Sequence, residues 1–225
     1  MDTLVGGLKA THAALRQRLD RATTARPGTD GAHVRDQYPA IDTFLAATSR
    51  HLGAVIDVVV PPVRTHVPDG VARARMFIEQ VRRTELALNQ VKAKLYGSTY
   101  AIRRPWESIW SDVRRELEAT FRLERLLVRD LAAHHQDQDP DWGEELYHAE
   151  LHAPTRPHPY IPHARLGHLA RGLARRVDGF WDTAEGRMVP EPVRHHDRSA
   201  DGPITQWLLA DPHLPEDDDE EPSPS

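Results

Sequence analysis

A chain of 225 residues with 39% hydrophobic residues is long enough to bury a core, and its lack of Cys excludes disulfides, thiolate metal sites, Fe–S clusters and cysteine nucleophiles. A formal net charge of −5 gives no general reason to expect nucleic-acid binding. No apolar run approaches membrane-spanning length, and Met1-Asp2-Thr3 lacks the basic and apolar regions of a signal peptide, so the expectation is a cytoplasmic protein without a membrane partner.

The pattern is helical up to about residue 135, with almost no alternation of apolar and polar residues. The first predicted helix starts at Asp2 or Thr3, either of them a good N-cap, and ends at Pro27-Gly28. Its apolar seam is Leu4, Leu8, His12, Leu15 and Leu19. A polar loop follows over 26–38.

The second helix begins near Tyr38-Pro39, where Pro suits a first helical position. Pro61-Pro62 is expected to stop it, since the pair lacks backbone donors. Its seam runs from Ile41 and Phe44 through Thr48, His51 and Val55 to Val58. The third helix follows the turn HVPDG, with Asp69 or Gly70 near its cap and Gly97 as its stop. Thr84 and Leu88 interrupt or fill a seam that otherwise reads Phe77, Val81, Val91 and Leu95. The fourth helix begins near Pro105, and its seam passes through Trp106, Trp110, Val113, Leu117, Thr120, Glu124, Leu127 and Leu131.

Alternating steps of three and four in all four seams predict helices packed as a left-handed bundle. The short second and third connections predict antiparallel neighbours, giving an all-α, up-down-up-down four-helix bundle over 1–135. Residues 136–187 form the second region. Its start, 136–165, is rich in His and Pro and reads as an extended arm, and 163–183 reads as a fifth, amphipathic helix lying on the bundle. The third region, 188–225, ends in EDDDEEPSPS and is expected to be largely disordered, with ITQWLLADP (204–212) as an apolar island.

The polar residues on the seams can be levelled against one another. At ~1.5 Å rise per residue, His12 lies ~20 Å from the end of its helix and His51 ~18 Å from the start of the next. Counting back from the later turns puts Thr84 and Thr120 in about the same layer, with Glu124 one turn away. His12, His51, Thr84, Thr120 and Glu124 are therefore expected to converge in the interior.

On the segments THAALRQRL (11–19), HLGAVIDVVVP (51–61) and LEATFRLERLLVRDL (117–131), the chain resembles the hemerythrin-like, or HHE cation-binding, proteins. That resemblance implies a four-helix bundle holding a non-haem di-iron centre through His and bridging carboxylates. Its second and fourth helices each carry His-x-x-x-Glu. By position, His12 matches the first-helix ligand, His51 the second-helix His and Glu124 the fourth-helix carboxylate. Val55 stands where the second-helix carboxylate belongs, Thr120 where the fourth-helix His belongs, and no His occurs from 71 to 97.

Two ions need more ligands and bridges than one carboxylate and two imidazoles supply. Three readings stay open. In the first, a non-catalytic binding, sensing or scaffold protein keeps the triad as a hydrogen-bonded or ion-paired relic, or as a small-ligand pocket, with no cofactor and an unknown protein or small-ligand partner. In the second, His12, His51 and Glu124 hold a single iron or other divalent cation used with dioxygen, with peroxide or in redox sensing. In the third, the third helix and the turn after it (Arg73, Arg75, Arg82, Arg83, Lys92, Lys94, Arg103, Arg104) dock an acidic partner or nucleic acid, against a bland reading as a solvated or internally paired face. His148 and His152 form an i, i+4 pair that would chelate if helical, weighed against ordinary solvated histidines. No Gly-rich phosphate loop or GxSxG occurs, and no catalytic residue is assigned.

Overall fold

Each seam with three-and-four spacing forms a helix. The structure, a computed structural model, describes residues 1–25, 38–95, 103–134, 136, 140–153, 155 and 191–193. Among them are six helices and no strand: α1 (Asp2–Thr24), α2 (Pro39–Val58), α3 (Val60–His66), α4 (Gly70–Leu95), α5 (Trp106–Ala132) and α6 (Trp142–His152). All six belong to one unit, residues 1–195. The 26–37 loop, the Gly97 stop, the 163–183 helix, the acidic tail with its apolar island, and the histidines at 135, 158, 163, 168, 195 and 196 lie outside the described residues.

The core is the set of seams facing one another. Leu4, Leu15, Phe44, Val55, Phe77, Leu88, Leu117 and Phe121 are almost wholly excluded from solvent. Helix α4 packs along α5, α1 lies against α2 and α5, and α2 also touches α4. Helix α6 lies across α1 and α2. Burying this apolar surface supplies the main driving force, ~25 cal/mol per Å² removed from water.

Four local expectations are corrected. Thr3 does not cap α1, which begins after Met1; its hydroxyl donates instead to Asp141 Oδ1 at 2.8 Å. Pro61 and Pro62 do not end the second helical segment. Val59 keeps right-handed helical angles, and the Pro pair occupies the first turn of α3, where missing donors cost nothing. Joined through Val59, Pro39–His66 is by length and composition apolar enough to cross a membrane (mean hydropathy 1.3), yet 67% of that window is buried inside the protein, as in a core helix. Residues 142–152, expected in an extended arm, form α6, because Asp141 caps them by accepting from the Gly143 and Glu144 amides, and Trp142 and Leu146 are buried.

The α3–α4 turn is tight. Asp69 takes a positive φ of 54°, and a Cβ added to Gly70 would stand 1.9 Å from the Val63 carbonyl oxygen. Replacing Gly70 with Ala therefore forces α3 and α4 apart. The expected loss is about 1–3 kcal/mol in urea denaturation, by analogy with overpacked cores; an unchanged midpoint would show that the turn relaxes freely.

Candidate functional site

The seam positions of α1, α2 and α5 deliver three polar side chains to one interior point. His12 from α1, His51 from α2 and Glu124 from α5 are at most 2% exposed. Their ligand atoms all lie within 4.8 Å of one another. His12 Nε2 is 3.0 Å from Glu124 Oε2, in hydrogen-bond geometry. His51 Nε2 is 2.9 Å from Glu124 Oε1, close enough for an ion pair, but the two atoms are not aligned as donor and acceptor. One turn back on α2, the buried Thr48 hydroxyl also has no hydrogen-bond partner among the described residues.

A fourth group completes the arrangement. Glu150 of α6 places Oε1 2.6 Å from His51 Nδ1, with both residues buried. His51 thus stands between two carboxylates, one on each ring nitrogen. Aromatic surface walls the other side. The His12 ring stacks on Phe121 with centroids 3.8 Å apart, and the Arg16 guanidinium lies over the same Phe121, 5.1 Å from its centroid. Arg16 is itself held by a two-pronged contact with Glu118 at 2.6 and 2.9 Å.

Protonation follows from these neighbours. For His51, burial is the largest single influence and pushes the ring pKa down. The Glu124 charge and the contacts to Glu124 and Glu150 together outweigh it and hold the ring at about 10. For Glu124, burial pushes up, and the two imidazoles outweigh it to bring the carboxyl to about 2. For His12, burial wins over Glu124 and the pKa is lowered. In the metal-free protein near neutral pH, His51 is therefore an imidazolium facing an ionised Glu124. His12 is a neutral ring whose Nε2–H donates to Glu124.

Of the five residues expected to converge, the structure brings together His12, His51 and Glu124. Thr84 and Thr120 form a separate pair. Their hydroxyls lie 2.7 Å apart, so one donates to the other, and the remaining proton goes to a main-chain carbonyl: those of Gln80 and Glu116 lie within reach of Thr84, and that of Glu116 within reach of Thr120. Engaged with each other and with these carbonyls at the α4–α5 contact, the short side chains stay apart from the triad. Val55 is fully buried among apolar neighbours.

Donors bound to one divalent ion at ~2.1 Å lie ~3.0 Å apart when adjacent and ~4.2 Å apart when opposite. The triad fits one ion with at most a small inward shift. Two ions need more ligands and bridges than these two imidazoles and one carboxylate supply.

The histidine pair on α6 does not form a second site. His148 instead pairs with Glu144 at 3.1 Å, and among the described residues only the triad groups three such ligands. On the basic face, Arg73 pairs with Asp130, Arg75 with Glu79 and Arg104 with Asp112, while Arg83 donates to Gln80. Glu150 was missed in the sequence. The signal was present: Asp141 followed by Glu144 is a helix-start pattern, and Trp142, Leu146 and Glu150 share one face.

Comparison with known proteins returns no matching family model, no matching curated protein and no matching solved structure.

The ion pair gives the metal-free protein a pH signature. Glu124, depressed to about 2, contributes stability that is present above about 4.5 and lost as pH falls through 2. His51, raised to about 10, contributes stability that is complete below about 6.5 and lost as pH rises through 10. With chelator present, denaturation across pH should show this contribution greatest between about 4.5 and 6.5, declining on both sides. Glu124→Gln should lower stability by about 3 kcal/mol in that window and flatten the profile. A wild-type profile indistinguishable from Glu124→Gln would contradict the assignment.

Proposed function

We propose that the chain is a hemerythrin-like protein, an up-down-up-down four-helix bundle formed by α1, α2 with α3, α4 and α5. In this reading its dinuclear centre has been reduced to one cation position at His12, His51 and Glu124. The protein works as a non-catalytic binding or sensing module whose state depends on that cation. The observation that carries the reading is the contact between His51 Nε2 and Glu124 Oε1. These two fully buried atoms sit 2.9 Å apart, the spacing of adjacent ligands of one ion, and the ligand atoms of all three residues lie within 4.8 Å of one another. Two imidazoles and a carboxylate suit iron(II) or zinc.

The bound cation would supply Lewis acidity and, if iron, a one-electron redox change. The residues around it favour sensing over turnover. Phe121 and the Arg16–Glu118 pair close one side, and the neighbouring surface cleft holds about 60 Å³, room for water but not for a sizeable substrate. The arginines that would serve an adaptor role are largely engaged within the protein, so no specific observation favours that alternative.

Because a cation must displace the proton on His51 Nε2 and shift that of neutral His12 from Nε2 to Nδ1, its affinity should rise with pH. Full-length protein purified without a His-tag and reconstituted anaerobically with iron(II) should retain about one ion per chain, and His51→Ala should retain none. Metal content at background in the wild type would reject the cation site and leave the triad as a metal-free ion-paired core.

A further inference from the structure

Helix α6 is fixed to α1 and α2 by specific contacts at both ends. At its start, Asp141 caps the helix and receives the Thr3 hydroxyl. Gly143 sits so close to α1 that a Cβ there would stand 2.8 Å from the Leu4 amide nitrogen. At its end, the Arg50 guanidinium donates to the Leu151 carbonyl at 3.3 Å. Between these anchors α6 presents Glu150, which does two things at once. Its carboxylate meets His51 Nδ1, and the same side chain lines a cleft shared with Thr3, Gly7, Thr11 and Tyr147.

From this we infer that Glu150 is the positioning residue of the cation site and that the α1–α6 cleft is the route by which cation and water reach it. The inference rests on the single-cation reading above. By accepting the Nδ1 proton, Glu150 fixes which ring nitrogen of His51 faces Glu124 and leaves Nε2 as the ligand atom. Without that acceptor, a neutral His51 can carry its proton on Nε2, where it bonds to Glu124 and closes the site. Among the described residues of this site, Glu150 alone lines the cleft, so an arriving ion passes beside it. Substrate chemistry is not involved; Glu150 acts through His51.

The test is titration of the full chain with Co2+ alone, followed by visible absorption and calorimetry, in wild type, Glu150→Ala, Glu150→Gln and Glu150→Asp. Glu150→Ala should weaken Co2+ binding roughly 10–100-fold. Glu150→Gln, whose amide oxygen still accepts from Nδ1, should stay within a few-fold of wild type. Glu150→Asp keeps the charge but withdraws the oxygen, so it should bind weakly while remaining folded, even if the Ala variant does not fold. Imidazole 15N spectra of the Co2+-free proteins supply a second readout. Above pH 10, where the neutral His51 ring prevails, the remaining proton should reside on Nδ1 in wild type and Glu150→Gln and be shared between the nitrogens in Glu150→Asp.

Equal affinity in wild type and Glu150→Asp would overturn the positioning role. A loss in Glu150→Gln as large as in Glu150→Ala would also overturn it, by making Glu150 a direct ligand. No Co2+ binding in the wild type would instead remove the cation reading on which the inference stands. To test the route, Thr11→Trp should fill the cleft and slow Co2+ loading at least tenfold with the final affinity retained; unchanged loading would sink the route.

Discussion

Burial of one negative charge organises this molecule. Glu124 is wholly inside the core, where an isolated carboxylate is strongly penalised, and it stays ionised only because two imidazoles from two other helices face it. That requirement sets the register of α1, α2 and α5 against one another. A slide of one turn along any of the three would carry a histidine away from the carboxylate. The apolar seams supply most of the driving force, but they tolerate sliding; the charged triad does not.

The same constraint explains how polar groups divide inside the core. Thr84 and Thr120 are satisfied by each other and by main-chain carbonyls of α4 and α5, so the α4–α5 side needs nothing from the triad. On the α2 side the demand is larger, because an imidazolium at His51 exceeds what Glu124 alone can pair. Glu150 meets that demand from α6. The extra helix is thus tied to the centre by chemistry as well as by the burial of Trp142 and Leu146. Under the proposed function, the two carboxylates on His51 divide the work, Glu124 beside the ligand nitrogen and Glu150 behind the ring.

The main helices were legible in the sequence because their seams are long and regular, and every seam residue of α1 named there is buried. The convergence of His12, His51 and Glu124 was legible too, since depth along a helix follows from counting residues. Two things were not legible. Spacing gives the height of Thr84 and Thr120 but not the reach of their side chains, so their withdrawal into a separate pair could not be read. Glu150 lay in a stretch whose His and Pro content masked a short capped helix, and eleven residues carry too few periods to outweigh that composition. The Pro61-Pro62 pair misled for a related reason: Pro ends a helix or begins one, and only the angles at Val59 decide which.

The proposed function places one cation, and not two, at His12, His51 and Glu124. X-ray absorption at the metal edge of the iron-loaded full chain distinguishes the two cases. The prediction is a single iron with two imidazole ligands and oxygen donors, and no metal–metal scattering, with the imidazole signal halved in His12→Ala. A metal–metal vector at ~3.5 Å, as in two-metal sites, or an iron shell without imidazole would contradict it.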